Sequence, residues 1–270
     1  MRYVSLSTPA GPRAGRLRDG RVRALNETLL SMVAAGLPDE VEPPPGEDMA
    51  VEEVELLPPI DCPSKIICMG LNYRAHAEEQ GKEAPETPTI FAKFANALSA
   101  PGATVGLPRF SSKVDYEAEV AFVIGDRCKD VAVEAAMEHV AGYTLFNDLS
   151  ARDLQFKIPQ WMPGKVFDGA APCGPALVTP DEAGPHDAIE IELRLNDEVM
   201  QGSSTADLVH SIPELVAYLS MLMTLEPGDL VATGTPAGVG SLRDPRVWLK
   251  PGDHVEVSSP QLGVLATTLG

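Results

Sequence analysis

The 270-residue sequence predicts a mixed α+β fold, with a small N-terminal α/β module and connector over residues 1–59 and a strand-rich domain over residues 60–270. Three patterns carry that expectation. Residues 114–125 and 142–148 are rich in aromatic and β-branched side chains, and the first run alternates with a period of two, as a strand does. Residues 211–225 form the longest helical run, amphipathic at first and then apolar. Residues 37–59 are rich in proline and glutamate and mark the boundary between the two parts. A hydrophobic fraction of 44% supplies enough apolar surface for a sizeable core at this length.

Taken in order, residues 2–7 read as a strand. Residues 15–18 and 21–25 flank Asp19-Gly20, a dipeptide that accommodates positive φ and so marks a hairpin. Asn26 is placed to cap a helix over residues 27–35, which Gly36 ends. This module holds no nucleotide loop and reads as structural. From Ser64 the character changes. Residues 65–69 read as a buried strand, Gly70-Leu71-Asn72-Tyr73 as a turn, and residues 74–80 as a short helix stopped by Gly81. Residues 82–89 are charged and carry two prolines, the composition of a mobile lid. Residues 91–98 are mostly apolar but include Lys93. Residues 133–139 read as an ordinary packing helix. Residues 189–195 and 198–201 read as a hairpin outside the chemistry. Two similar turns, Glu226-Pro227-Gly228-Asp229 and Lys250-Pro251-Gly252-Asp253, each launch a strand. Residues 255–258 and 264–269 close the chain as an antiparallel pair.

The formal charge, 21 − 39 = −18, argues against a nucleic-acid or anionic-membrane partner, since both need a basic surface. An anionic substrate would have to be drawn by a local cation, which makes each inward Arg or Lys informative. Cys62, Cys68, Cys128 and Cys173 show neither C-x-x-C pairing nor zinc-site spacing, so reduced, buried thiols are expected. The first residues lack the apolar core of a signal peptide. The longest apolar stretch, residues 212–225, contains Glu214 and is too short to span a bilayer. A cytoplasmic protein is expected.

The chemistry concentrates in residues 114–148. As a strand, this segment puts Asp115, Glu117 and Glu119 on one face and Tyr116, Val120, Phe122 and Ile124 on the other. Stacked carboxylates repel, and burying them unpaired is costly, so that face is either wet or occupied by a cation. Asp148, at the end of the second run, adds a further carboxylate. With no cysteine nearby, such a set suits Mg2+ or Mn2+. His76 and Glu79, three apart on one helix, share a face, and a carboxylate partner orients an imidazole as a general base. A surface His beside a surface Glu explains the same spacing. If the chain turns helical at Asp148, then Asp148, Arg152 and Gln155 form one stripe able to hold a chelating carboxylic acid, although a plain Asp–Arg pair explains two of the three. Lys165, flanked by glycine and apolar residues, is either aimed inward or snorkelling. The glycines of Thr233-Gly234-Thr235-Pro236-Ala237-Gly238-Val239-Gly240 let backbone N–H groups converge on an anion, such as a substrate carboxylate.

The order of these motifs is specific. Gly70-Leu71-Asn72-Tyr73-x-x-His76-x-x-Glu79, then Asp115-Tyr116-Glu117-Ala118-Glu119, then Asn147-Asp148-x-x-x-Arg152-Asp153-x-Gln155, Gly164-Lys165-x-Phe167-Asp168 and the 233–240 loop together resemble the fumarylacetoacetate hydrolase superfamily over residues 60–270. The likeness is to its bacterial branch of acylpyruvases and hydroxyhepta-diene-dioate isomerases. The resemblance implies a β-roll or sandwich with flanking helices, usually a homodimer. It implies Glu117, Glu119 and Asp148 as ligands of one Mg2+ or Mn2+, and His76 with Glu79 as a lid dyad that activates water. By the same likeness Lys165 steadies an oxyanion, Arg152 and Gln155 hold substrate oxygens, and Thr235 contacts the substrate carboxylate.

The activity that this resemblance implies first is hydrolysis of a carbon–carbon bond in a 2,4-dioxo acid of the acylpyruvate or fumarylpyruvate kind, with residues 158–161 and the lid setting acyl-chain choice. Relatives of the fold share a pyruvate enolate, so three other reactions stand beside it. These are decarboxylation of oxaloacetate, isomerisation of 2-hydroxyhepta-2,4-diene-1,7-dioate, and dehydration or cleavage of keto-deoxy sugar acids. A non-catalytic metal-binding protein is the remaining alternative, and a merely structural ion would need neither the dyad nor Lys165.

Overall fold

The computed structural model describes residues 1–38 and 46–270; residues 39–45 of the proline-rich connector lie outside the described residues. The chain opens with β1 (Arg2–Leu6), β2 (Arg13–Arg18) and β3 (Arg21–Ala24), paired antiparallel in succession. Asp19 and Gly20 turn the hairpin at φ 51° and 71°, the positive values a two-residue turn requires. Helix α1 (Leu29–Ala35) begins later than expected because Thr28, not Asn26, caps it, its hydroxyl accepting the Ser31 N–H. Two short strands, β4 (Met49–Ala50) and β5 (Leu56–Leu57), then pair with β3 and β1.

The larger part begins with β6 (Ile66–Gly70), α2 (Arg74–Glu79), β7 (Thr89–Lys93), β8 (Leu98–Ser99) and β9 (Thr104–Val105). The acidic segment is not the single strand its alternation predicts. It forms β10 (Val114–Asp115) and β11 (Ala118–Ile124), with Tyr116 and Glu117 between them. Residues 133–139 wind as a 3-10 helix ahead of β12 (Val140–Asn147). After Asp148 come β13 (Ser150–Ala151), which pairs with β10, and α3 (Arg152–Gln155), a single turn. The helical stripe expected for Asp148, Arg152 and Gln155 therefore does not form, because β13 intervenes.

Then follow β14 (Ala171–Val178), α4 (Pro180–Ala183), β15 (Glu190–Leu195), β16 (Glu198–Ser204) and α5 (Ile212–Leu222). The last strands are β17 (Leu230–Ala232), β18 (His254–Ser259) and β19 (Gly263–Leu269). Both Pro-Gly-Asp turns close alike, Asp229 accepting the Glu226 N–H and Asp253 the Lys250 N–H, each at 2.8 Å.

A 12-stranded sheet runs β4-β3-β2-β1-β14-β12-β11-β17-β6-β7, with β5 beside β1 and β8 beside β14, while β16-β15-β18-β19-β9 form a second sheet. The two sheets pack through β11, β12 and β14 against β15, β18 and β19. Strand β11 is buried on both faces, and side chains such as Val120, Phe122, Leu193, Val257 and Leu265 fill the core. Each such side chain contributes about 1.5–3 kcal/mol on burial. The large sheet crosses the boundary expected at residue 59, since Arg2 and Tyr3 of β1 pair with Val178 and Leu177 of β14. Cys68, Cys128 and Cys173 are buried as expected, but Cys62 is exposed on a bend beside Pro63. Among the described residues no helix is long and apolar enough to cross a membrane.

Candidate active site

Pairing of β11 with β12 sets Ala118 opposite Asn147, and so brings the flanking residues Glu117 and Asp148 side by side. Two bonds secure them: the Asp148 N–H donates to the Glu117 carbonyl at 2.9 Å, and the Glu117 N–H to Asn147 Oδ1 at 3.1 Å. Glu119 joins them, and one oxygen from each of the three carboxylates lies within 4.8 Å of the others, all buried. Asp115 does not join this group. The break between β10 and β11 turns it aside, where it accepts from Arg152 Nε at 2.8 Å and from the Gly240 and Ser241 N–H groups.

Three buried cations face the carboxylates. Lys165 Nζ lies 2.7 Å from Glu117 Oε2 and 2.8 Å from Asp148 Oδ2, and 4.9 Å over the Phe91 ring. Arg152 reaches Glu117 Oε1 at 2.7 Å and also donates to Gln155 Oε1 at 2.8 Å. Lys93 lies 2.7 Å from Asp148 Oδ1 while donating to the carbonyls of Leu149, Lys165 and Ala170. Three carbonyls occupy the three ammonium protons, so Lys93 holds Asp148 Oδ1 by charge alone, and no directional hydrogen bond reaches that oxygen.

Burial opposes ionisation of Glu117, but Arg152 and Lys165 outweigh it and hold its carboxyl below the ordinary range. Glu119 goes the other way: burial, then the charges of Asp148 and Glu117, push it well above that range, and its bonded donor is the Gly234 N–H at 2.9 Å. Burial also works against the Lys165 ammonium, yet Asp148 and Glu117 keep it above the usual lysine value. A compact all-oxygen set, with one orphaned oxygen and one carboxyl driven toward neutrality for want of positive charge, fits a hard divalent ion.

Helix α2 covers this cluster. His76 Nδ1 lies 3.1 Å from Glu79 Oε2, and Glu79 Oε1 accepts the Gly238 N–H at 3.0 Å. A carboxylate only accepts, so Nδ1 carries the proton and Nε2 offers its lone pair. That lone pair faces Gln80 Nε2 at 2.9 Å. The expected lid over residues 82–89 is tethered, His210 Nε2 bonding to the Pro85 carbonyl at 2.9 Å. The cleft between α2 and the carboxylates encloses about 30 Å3. Arg152, Gln155, Lys165 and Thr235 all line it, as do Phe91 and Trp161, which pack edge-on at 6.0 Å. Of residues 158–161, expected to shape the acyl site, Trp161 lines the cleft, while Ile158 is exposed.

The glycine loop differs from expectation. Its N–H groups from Gly234, Gly238 and Gly240 serve the protein's own carboxylates Glu119, Glu79 and Asp115 rather than standing open for a substrate. Positive φ at Gly234 (99°) and Gly238 (105°) makes this possible. Three further residues carry the site without having been assigned a role from the sequence. Lys93 stands on the buried side of β7 with Phe91, and a cation on a buried period-two position was the available signal. Gln201, in the hairpin assigned no chemistry, accepts the Ala118 N–H and donates to Thr235 Oγ1 and the Pro236 carbonyl. Gln80 had no signal beyond its spacing of four from His76.

A family model described as "Fumarylacetoacetate (FAA) hydrolase C-terminal" matches residues 65–270. The chain is 47% identical over 216 residues to the mitochondrial oxaloacetate tautomerase FAHD2A of Bos taurus, covering 79% of this chain and 68% of that protein. Among solved structures, a fumarylacetoacetate hydrolase from psychrophilic Exiguobacterium antarcticum superposes with a TM-score of 0.89 at 33% identity, covering 100% of this chain and 99% of that one. A 5-carboxymethyl-2-hydroxymuconate delta-isomerase from Mycobacterium smegmatis gives 0.82 at 36%, with coverage of 100% and 98%. The whole fold, N-terminal part included, is that of these neighbours.

Proposed function

The chain belongs to the fumarylacetoacetate hydrolase family, and we propose that it catalyses metal-dependent keto–enol tautomerisation of a short 2-oxo dicarboxylic acid of the oxaloacetate type. The observation that carries this reading is the cleft itself. A hard-cation site and an oriented imidazole face each other across one narrow cleft that Arg152, Gln155, Lys165 and Thr235 line with polar groups suited to a small keto acid. The similarity to oxaloacetate tautomerases supports the same choice.

Glu117, Glu119 and Asp148 would hold one Mg2+ or Mn2+, which when bound supplies Lewis-acid polarisation of the substrate's 2-oxo group. Arg152, fixed by Asp115 and Gln155, supplies a planar donor for the C1 carboxylate, and the Thr235 hydroxyl donates beside it. His76 Nε2 takes a proton from C3, the C–H electron pair becomes the C2=C3 bond, and the carbonyl pair moves onto O2. Lys165 stabilises that developing oxyanion. Return of the proton to O2 yields the enol, and the reverse sequence yields the ketone.

A second reading, hydrolysis of a 2,4-dioxo acid, draws on the same His76–Glu79 dyad, which is also an arrangement for activating water. There the water proton goes to His76, the hydroxyl adds to C4, and the C3–C4 pair stays on C3 until protonated, leaving pyruvate and a carboxylic acid. The test is a set of parallel assays with Mg2+: oxaloacetate enol-to-ketone conversion, oxaloacetate decarboxylation, acetylpyruvate hydrolysis and isomerisation of 2-hydroxyhepta-2,4-diene-1,7-dioate. Tautomerisation should be fastest, EDTA should abolish it and Mg2+ should restore it. Faster acetylpyruvate cleavage, or full activity in chelator, would overturn the proposal, and no turnover of any substrate would favour a non-catalytic metal protein. A homodimer is proposed as well, to be checked by light scattering against twice the 28.7 kDa chain mass.

A further inference from the structure

We infer that Gln80 determines the outcome at this site, by occupying the position on His76 that a hydrolytic water would need. The inference rests on the tautomerase reading and deepens it. Glu79 and Gln80 stand three and four residues beyond His76, so both reach its imidazole from the same helix face. Glu79 takes the Nδ1 side, and the Gln80 amide donates to Nε2 at 2.9 Å. Both ring nitrogens are thus engaged.

A neutral imidazole nitrogen has one lone pair. A water to be deprotonated by His76 must donate into it, and the Gln80 amide already does so. The cleft is narrow, and a bound substrate competes with water for the same lining side chains. Hydrolysis needs substrate and water together, whereas proton transfer needs only the substrate's C3–H at Nε2. A bound 2-oxo dicarboxylate displaces the amide directly. The released primary amide, lining the same cleft, then donates to the carboxylate at the far end of the substrate. Gln80 therefore favours short dicarboxylic keto acids and closes the water route.

The experiment compares Gln80→Ala and Gln80→Asn, the latter keeping an amide but withdrawing it by one carbon, with the wild-type enzyme in Mg2+. Oxaloacetate tautomerisation and acetylpyruvate hydrolysis are both measured. In each variant the ratio of hydrolysis to tautomerisation should rise by at least about tenfold, with a higher KM for oxaloacetate. In the metal-free protein, the 15N resonance of His76 Nε2 should move on substitution because its donor is lost. Wild-type tautomerase activity with an unchanged ratio in both variants, or an unmoved Nε2 resonance, would overturn the role of Gln80 and leave the tautomerase reading standing. A wild-type enzyme without tautomerase activity would remove that reading and this inference with it.

Discussion

Replacing Lys93 with methionine removes the most enclosed cation of the site while keeping most of the side-chain length. The Lys93 side chain has 0% exposure, as does that of its partner Asp148, 2.7 Å away. The same ammonium donates to the carbonyls of Leu149 at 3.3 Å and Ala170 at 2.9 Å, and to that of Lys165. One side chain thus joins the segment carrying Asp148 to the segment carrying Lys165. Removing one partner of a buried ion pair costs about 3–5 kcal/mol, because the other charge is left in a medium that solvates it poorly. Each kcal/mol lowers Tm by roughly 2–4 °C in a domain of this size, so the metal-free variant should melt on the order of 10 °C lower. Lys113→Met, at an exposed position, should stay within about 0.5 kcal/mol of wild type. Mg2+ restores a counter-charge to Asp148, so its stabilising shift should be larger in Lys93→Met than in wild type. Calorimetric unfolding in EDTA and in saturating Mg2+ measures both effects. An unchanged Tm in EDTA, or a smaller Mg2+ shift, would refute the account of Lys93 as the anchor of Asp148.

Three other substitutions probe separate parts of the site. Glu119→Gln keeps an acceptor for the Gly234 N–H, and burial already disfavours charge there, so metal-free stability should change by less than about 1 kcal/mol. The Mg2+-induced stabilisation, about 2.7 kcal/mol at a hundredfold excess over Kd, should vanish, and retained Mn2+ binding by titration calorimetry would remove Glu119 from the ligand set. Gln201→Leu strands the buried Ala118 N–H and frees Thr235 Oγ1, so stability should fall by about 1–3 kcal/mol and KM for oxaloacetate should rise more than kcat falls. An unchanged KM would place Thr235 outside substrate binding. Gly164→Ala sets a Cβ 2.5 Å from the Ala151 carbonyl and 2.6 Å from the Gln155 N–H nitrogen, so about 1–3 kcal/mol of strain should displace Lys165. Unfolding and kcat should both register it; a variant equal to wild type in both would show that Lys165 tolerates movement.

Much of this protein follows from local order in its sequence. The Asp19-Gly20 hairpin, α5, the closing β18–β19 pair and the motif series from His76 to Gly240 depend on residue type at short spacing, and neighbours along a chain cannot escape one another. The alternation of Glu117 and Glu119 was readable for the same reason. What the alternation could not reveal is that the strand breaks at Tyr116 and Glu117, sending Asp115 to Arg152 and away from the other two carboxylates. That break depends on β10 pairing with β13, which sets Asp115 opposite Ser150 and within reach of Arg152, 37 residues along the chain. Long-range partnership also decided the glycine loop, whose N–H groups were readable as anion donors but not as donors to Glu119, Glu79 and Asp115. It decided Lys93 and Gln201 too, whose only local mark is a polar residue on a buried strand face. The sequence by itself determined which functional groups are present and which short elements carry them. Only the tertiary structure decided which charge answers which, because a buried ion pair or hydrogen bond is set by proximity in space, and proximity across sheets is not written in any one segment.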